Sequence, residues 1–121
     1  MAVYSMFLLF PGFGSIVQVE AVVGERAVLP CVSESRTEVD WQLRNATKPV
    51  LPYIWNRNTM VNGYKQRCAI ETNEVGTYNL IIFSVQLNDS GIYDCIEEAG
   101  FGKPHPVRLS VNLSKRAHCF V

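Results

Sequence analysis

Four cysteines (Cys31, Cys68, Cys95, Cys119) and two histidines (His105, His118) carry the widest chemical range in this 121-residue chain. A thiolate binds zinc, attacks carbonyls or pairs with another thiol, and neighbouring residues show which chemistry is equipped. No two cysteines form a Cys-x-x-Cys pair and the histidines add no zinc-ligand spacing, so no metal site is expected. No Gly-x-Ser-x-Gly turn is present, and neither histidine has a flanking motif that would mark a base. Gly100-Phe101-Gly102 continues into Lys103-Pro104 and a strand pattern, where a phosphate loop would open a helix. The expectation is therefore no enzyme, no catalytic residue and no cofactor.

Eleven basic and eleven acidic residues leave a formal charge of zero, so no field gathers nucleic acid or an anionic membrane surface. With 48% hydrophobic residues the chain supports one core and one domain. Tyr4 to Phe10 is a short apolar run followed by the small residues Gly12, Gly14 and Ser15, so residues 1–15 read as a secretory signal peptide, with an uncleaved strand extension as the alternative. Asn45-Ala46-Thr47, Asn88-Asp89-Ser90 and Asn112-Leu113-Ser114 are glycosylation sequons, which agree with export. The tail from Leu113 to Val121 contains Lys115, Arg116 and His118 and is too short to span a bilayer. An extracellular product follows, either secreted or the ectodomain of a plasma-membrane protein.

Cys31, Trp41 and Cys95 occur in that order, and Asp89-Ser90-Gly91-Ile92-Tyr93-Asp94-Cys95 closes the series. This set resembles an immunoglobulin variable-type (V-set) domain over about Ser15 to Asn112. Val23-Gly24-Glu25 leading to Leu29-Pro30-Cys31 is similar to butyrophilin-like and related immune receptor ectodomains. The resemblance implies an all-β, two-sheet antiparallel sandwich with Greek-key connections at residues 16–112, preceded by the leader and followed by a tail at 113–121. It also implies a Cys31–Cys95 disulfide, Trp41 packed beside it, Tyr93 at the tyrosine corner and a structural ion pair between Arg67 and Asp89.

Period-two alternation supplies the phase. Ala27, Leu29 and Cys31 share a face, as do Val39, Trp41 and Leu43, then Val107, Leu109 and Val111, and the family resemblance implies that Leu80, Ile82 and Val85 face inward. Ile81 and Phe83 then point outward. Strands are expected over Ser15 to Val23, Arg26 to Val32, Val39 to Arg44, Val50 to Trp55, Arg67 to Thr72, Thr77 to Val85, and on both sides of a hairpin at Phe101-Gly102-Lys103-Pro104, with no helical stretch.

Cys68 and Cys119 exceed the single bridge of the family. An intramolecular second disulfide, a covalent dimer through Cys119 and two idle thiols all remain open. Binding is expected at the end carrying the B–C, C′–C″ and F–G loops, away from the three sequons. Phe101 stands at the F–G tip beside Glu97, Glu98, Lys103 and His105, while Gln42, Arg44, Asp94 and Ile96 extend the patch along the sheet. The alternative for Phe101 is folding back onto the core. The implied function is non-catalytic recognition of another protein, a cell-surface receptor or ligand. Alternatives are a homophilic adhesion module forming a homodimer, or a rearranged antigen-receptor variable region, whose joining segment Phe-Gly-x-Gly is matched here only in its first half.

Overall fold

The computed structural model describes residues 3–8, 15–44 and 53–114. Two sheets face one another. The larger contains β1 (Val3–Leu8), β2 (Ser15–Val22), β4 (Asp40–Leu43), β5 (Tyr53–Asn56), β6 (Thr59–Met60), β9 (Gly91–Ile96) and β10 (Pro104–Asn112), in the order β1-β2-β10-β9-β4-β5-β6. The smaller contains β3 (Ala27–Leu29), β7 (Cys68–Glu71) and β8 (Asn79–Ile82), in the order β3-β8-β7. β2 runs parallel to β10 and every other pairing is antiparallel.

Alternating side chains from both sheets build the core: Val19 and Ala21 on β2, Leu109 on β10, Tyr93 and Cys95 on β9, facing Leu29 on β3 and Leu80 and Ile82 on β8. Trp41 is fully buried at the centre, and its indole N–H donates to the Tyr78 carbonyl at 2.8 Å, linking β4 to the segment that leads into β8. Cys31 and Cys95 are disulfide-bonded with their Cα atoms 6.4 Å apart. At the other end of the sandwich, the Arg67 guanidinium meets the Asp89 carboxylate through two hydrogen bonds, of 3.1 and 2.6 Å. The Tyr93 hydroxyl donates to the Asp89 carbonyl, and burial raises its pKa.

Several expectations change. Ile81 is only 6% exposed. It belongs to the middle strand of the small sheet, with Val28 and Ala69 as lateral neighbours, whereas Phe83, past the strand end, is 48% exposed. Among the described residues a 3-10 turn spans Leu87–Asp89 and a turn with left-handed backbone at Glu98 and Ala99 spans Glu97–Gly100, neither of them a helical stretch. Val3–Leu8, inside the segment read as a leader, pairs with β2 from Val3↔Glu20 to Leu8↔Ser15. Cys68 is a buried free thiol, and Cys119, the other half of the second bridge left open above, lies outside the described residues. Burial pushes the Cys68 pKa up to about 11, which keeps this thiol protonated and unreactive at neutral pH. Asn45 also lies outside the described residues.

The bridge closes a separation of 64 residues. Replacing both partners, Cys31→Ala with Cys95→Ala, is expected to lower stability by about 4 kcal/mol on the chain-entropy account. Chemical denaturation checks this, and an unchanged midpoint would show that the staple is dispensable.

Candidate recognition surface at the loop end

β9 leads out of the core at Ile96, and the chain then enters a left-handed turn: φ is +55° at Glu98, +52° at Ala99 and +97° at Gly100. Left-handed backbone costs non-glycine residues roughly 1–2 kcal/mol each, so such a turn persists only where its surroundings hold it. Here the B–C loop does the holding. Glu98 N–H donates to Thr37 Oγ1 at 2.8 Å and Ala99 N–H to the Glu38 carbonyl at 2.9 Å. Within the hairpin, Gly102 N–H donates to the Glu97 carbonyl at 2.8 Å and Glu97 N–H to the Lys103 carbonyl at 3.0 Å. Gly100 is required twice over, because it has positive φ and a Cβ there would sit 2.6 Å from Asp40 Oδ2.

Glu97 is the clasp. Its carboxylate accepts from Glu34 N–H and Ser35 N–H, each at 2.9 Å, and from Ser35 Oγ at 2.6 Å, and it meets His105 Nε2 at 2.5 Å. The Ser35 hydroxyl, helped by His105 and the two backbone donors, holds its carboxyl well below the usual carboxylate range against the opposing effect of burial. At 3% exposure Glu97 presents nothing to a partner, so its expected role as a contact residue is corrected: the carboxylate turns inward because the B–C loop offers it donors that solvent would otherwise supply. His105 is likewise committed to this clasp. Asp40 is buried beneath the turn, takes a 2.9 Å hydrogen bond from Asn56 Nδ2, and has a raised pKa because burial outweighs that bond.

The same packing leaves Phe101 outside. It is 93% exposed at the tip and does not fold back on the core. Glu98 is exposed next to it. Lys103 reaches the Glu34 carboxylate at 3.1 and 3.2 Å, both side chains well exposed, so this pair contributes less than about 1 kcal/mol. Along the sheet, Arg44 grips Asp94 through two hydrogen bonds of 2.8 and 2.5 Å, which raise the Arg44 pKa, and Gln42 and Ile96 are half-buried beside them. Asn88 and Asn112 lie at the far end: β10 carries the chain eight residues from Pro104 to Asn112, about 26 Å. Among the described residues no group of three His, Cys, Asp or Glu side chains is placed to hold a metal ion.

The sequence that builds this disulfide-stapled sandwich matches the Immunoglobulin V-set domain over residues 16–112. The chain belongs to the immunoglobulin V-set family. No curated protein sequence is significantly similar to it. Solved V-set neighbours share the fold at low identity. An IG1 domain from the complex of Dpr1 IG1 with DIP-eta IG1 superposes with a TM-score of 0.67 at 18% identity, covering 91% of this chain and 97% of that one. The ZIG-8 IG1 homodimer gives 0.64 at 19%, covering 78% and 77%. The first Ig domain of the mouse polymeric immunoglobulin receptor gives 0.62 at 21%, covering 78% and 88%. The V-set domain is a fold of recognition modules, and no catalytic family is indicated.

Sequence reasoning placed Glu97 correctly in the chain and wrongly in space. The signal that could have found its role is the polar run Ser33-Glu34-Ser35-Arg36-Thr37, in which the Glu34 and Ser35 N–H groups and the Ser35 hydroxyl are the donors that Glu97 takes up. Because the folded-state pKa of Glu97 is lowered, its contribution is complete above the ordinary value of 4.5 and is lost progressively as pH falls below it. Protection of the Glu34, Ser35, Glu98 and Ala99 amides, taken relative to the intrinsic exchange rate at each pH, is expected to fall as pH drops below 4.5 in the wild type. In Glu97→Gln this protection is expected to be low at neutral pH as well, with little further change in acid; a wild-type-like pH profile in the variant would refute the clasp. Gly100→Ala is expected to cost more than about 1 kcal/mol, read as a fall in Tm.

Proposed function

We propose that this V-set domain is the non-catalytic protein-recognition unit of an immune-type cell-surface receptor or ligand, or of its soluble form. It binds a second protein through the loop end and the adjoining face of β10, β9, β4 and β5. The observation that carries this reading is Phe101, a nearly fully exposed aromatic held on a turn that the Glu97 clasp fixes in advance. Aromatic anchors at rigid positions, rimmed by polar groups such as Glu98, Lys103 and Gln42, are the usual centres of protein interfaces. Ig-domain neighbours crystallised as a homodimer and as a heterodimer support an Ig-domain or other protein partner.

Residues 1–15 act as an export leader in this reading, so the pairing of Val3–Leu8 with β2 belongs to the uncleaved chain, and the domain works outside the cell. Among the described residues no helix is long and apolar enough to cross a membrane. Asn88 is exposed and Asn112 half-buried at the end away from Phe101, so glycans there leave the loop end bare. A homophilic adhesion role is the second reading, supported by the ZIG-8 IG1 homodimer. The antigen-receptor reading is disfavoured, because Phe101-Gly102-Lys103-Pro104 lacks the second glycine of a joining segment.

A fluorescent tetramer of the domain, tested on cells each expressing one membrane-protein ectodomain, is expected to stain a specific ectodomain. Phe101→Ala is expected to weaken that binding by about 30-fold or more at unchanged Tm. Equal staining by the variant would remove Phe101 from the interface. Sedimentation that shows a concentration-dependent dimer lost in Phe101→Ala would transfer the site to homophilic adhesion.

A further inference from the structure

Away from Phe101 the loop end carries a second concavity. A groove of about 630 Å³ lies between the B–C loop, the β5–β6 hairpin and the turn joining β7 to β8. Its inner wall is Trp55, Ile70 and Tyr78, all half-buried against the core, and Arg36, Asn58 and Glu74 stand exposed at its margin. The size falls within the roughly 300–1,000 Å³ of ligand-binding clefts. Its walls are preformed: Ser33 N–H donates to the Gly76 carbonyl at 2.7 Å, and the approach is so close that a Cβ on Gly76 would meet the Ser33 carbonyl oxygen at 3.1 Å.

Two donors at this groove lack acceptors. The Trp55 indole N–H is buried with no hydrogen-bond partner, in contrast to Trp41, whose N–H is taken by the Tyr78 carbonyl. Buried donors left unpaired are rare in folded proteins and call for a specific explanation. Arg36, held at a φ of +59°, makes no ion pair within 4.0 Å among the described residues. Two unpaired donors beside an apolar wall fit an occupant that brings acceptors and an apolar group to the Arg36 side of the groove, away from the Glu74 carboxylate. The Trp55 nitrogen is buried, so an acceptor meets it only when side chains at the groove rearrange, a motion of picoseconds to nanoseconds at a surface.

We propose that this groove receives an extended acidic segment of a partner protein. A carboxylate of the segment pairs with Arg36, an apolar side chain lies on Ile70 and Tyr78, and a carbonyl takes the Trp55 N–H. Glu74, on the same margin, repels a carboxylate on its side and so fixes the direction in which the segment lies. This contact is separate from the one at Phe101 and extends recognition to the B–C, C′–C″ and D–E side of the loop end.

The two tryptophans make an internal comparison for nuclear magnetic resonance on the full chain. Titration with acetyl-Asp-Leu-Asp-Leu-amide is expected to shift the Trp55 indole cross-peak saturably and leave that of Trp41 in place. Arg36→Ala weakens the binding about tenfold, the loss that follows from removing a charge-assisted hydrogen bond. Glu74→Gln tightens it, and Phe101→Ala leaves it unchanged, which separates this site from the proposed interface. No movement of the Trp55 peak, an equal response to acetyl-Lys-Leu-Lys-Leu-amide, or a response to sialyllactose alone would each overturn the proposal.

Discussion

The Cys31–Cys95 disulfide roots both of the loops that meet at the recognition end. Ser33, where the B–C loop begins, stands two residues past one half of the bridge, and Glu97, where the F–G turn begins, stands two residues past the other. Fixing the bonded Cα atoms 6.4 Å apart therefore fixes the separation at which the two loops leave the core. The Glu97 carboxylate then joins them again through Glu34 and Ser35, a non-covalent link laid over the covalent one. Trp41 fills the space beneath, and without its volume and its bond to Tyr78 the sheets would not meet at the distance these links require.

Three buried carboxylates show how environment assigns roles to one functional group. Glu97 receives so many donors that its charge is favoured despite burial. Asp40, with a single side-chain donor from Asn56, is dominated by desolvation and shifts the other way. Asp89 is satisfied by Arg67 and by Gln86 N–H at 2.8 Å, and its own carbonyl accepts from Tyr93. The first two order the loop end and the third closes the opposite end. A half-satisfied buried carboxylate costs more than an apolar residue of similar size, a cost that the many donors to Glu97 and the Arg67 and Gln86 donors to Asp89 offset more fully than the few at Asp40.

What could be read from the chain was what depends on a short period or on a covalent option. Alternation with period two marked Leu29, Trp41, Leu80, Leu109 and their neighbours as inward, because a strand leaves a side chain only two faces. Cys31, Trp41, Tyr93 and Cys95 were legible as a set because family spacing ties them together. Ile81 points outward as its phase requires, but its burial was not legible, since that depends on being in the middle strand, a property of sheet order. Glu97 was misplaced because a charged residue at a hairpin is exposed by default, and the donors that draw it inward lie more than sixty residues away in sequence. Trp55 and Arg36 share a groove only because three separate connections converge, which no local pattern encodes. The pairing of Val3–Leu8 with β2 is of the same kind: an apolar run reads equally as leader or strand until an open edge is present to receive it.

A chain with no net charge has no long-range steering to offer, so affinity must come from short-range fit and from loops that lose little freedom on binding. Ordering a flexible hairpin costs of the order of 1–2 kcal/mol per backbone residue, and over the four residues of the Glu97–Gly100 turn that would cancel much of what one aromatic anchor contributes. The left-handed turn removes this cost in advance, because the strain of Glu98 and Ala99 is offset inside the free domain by Thr37, Glu38 and the Glu97 clasp. The residues that matter most for presenting Phe101 are thus ones a partner never touches. A loss of the clasp would weaken recognition through disorder of the turn, with the contact surface itself unaltered.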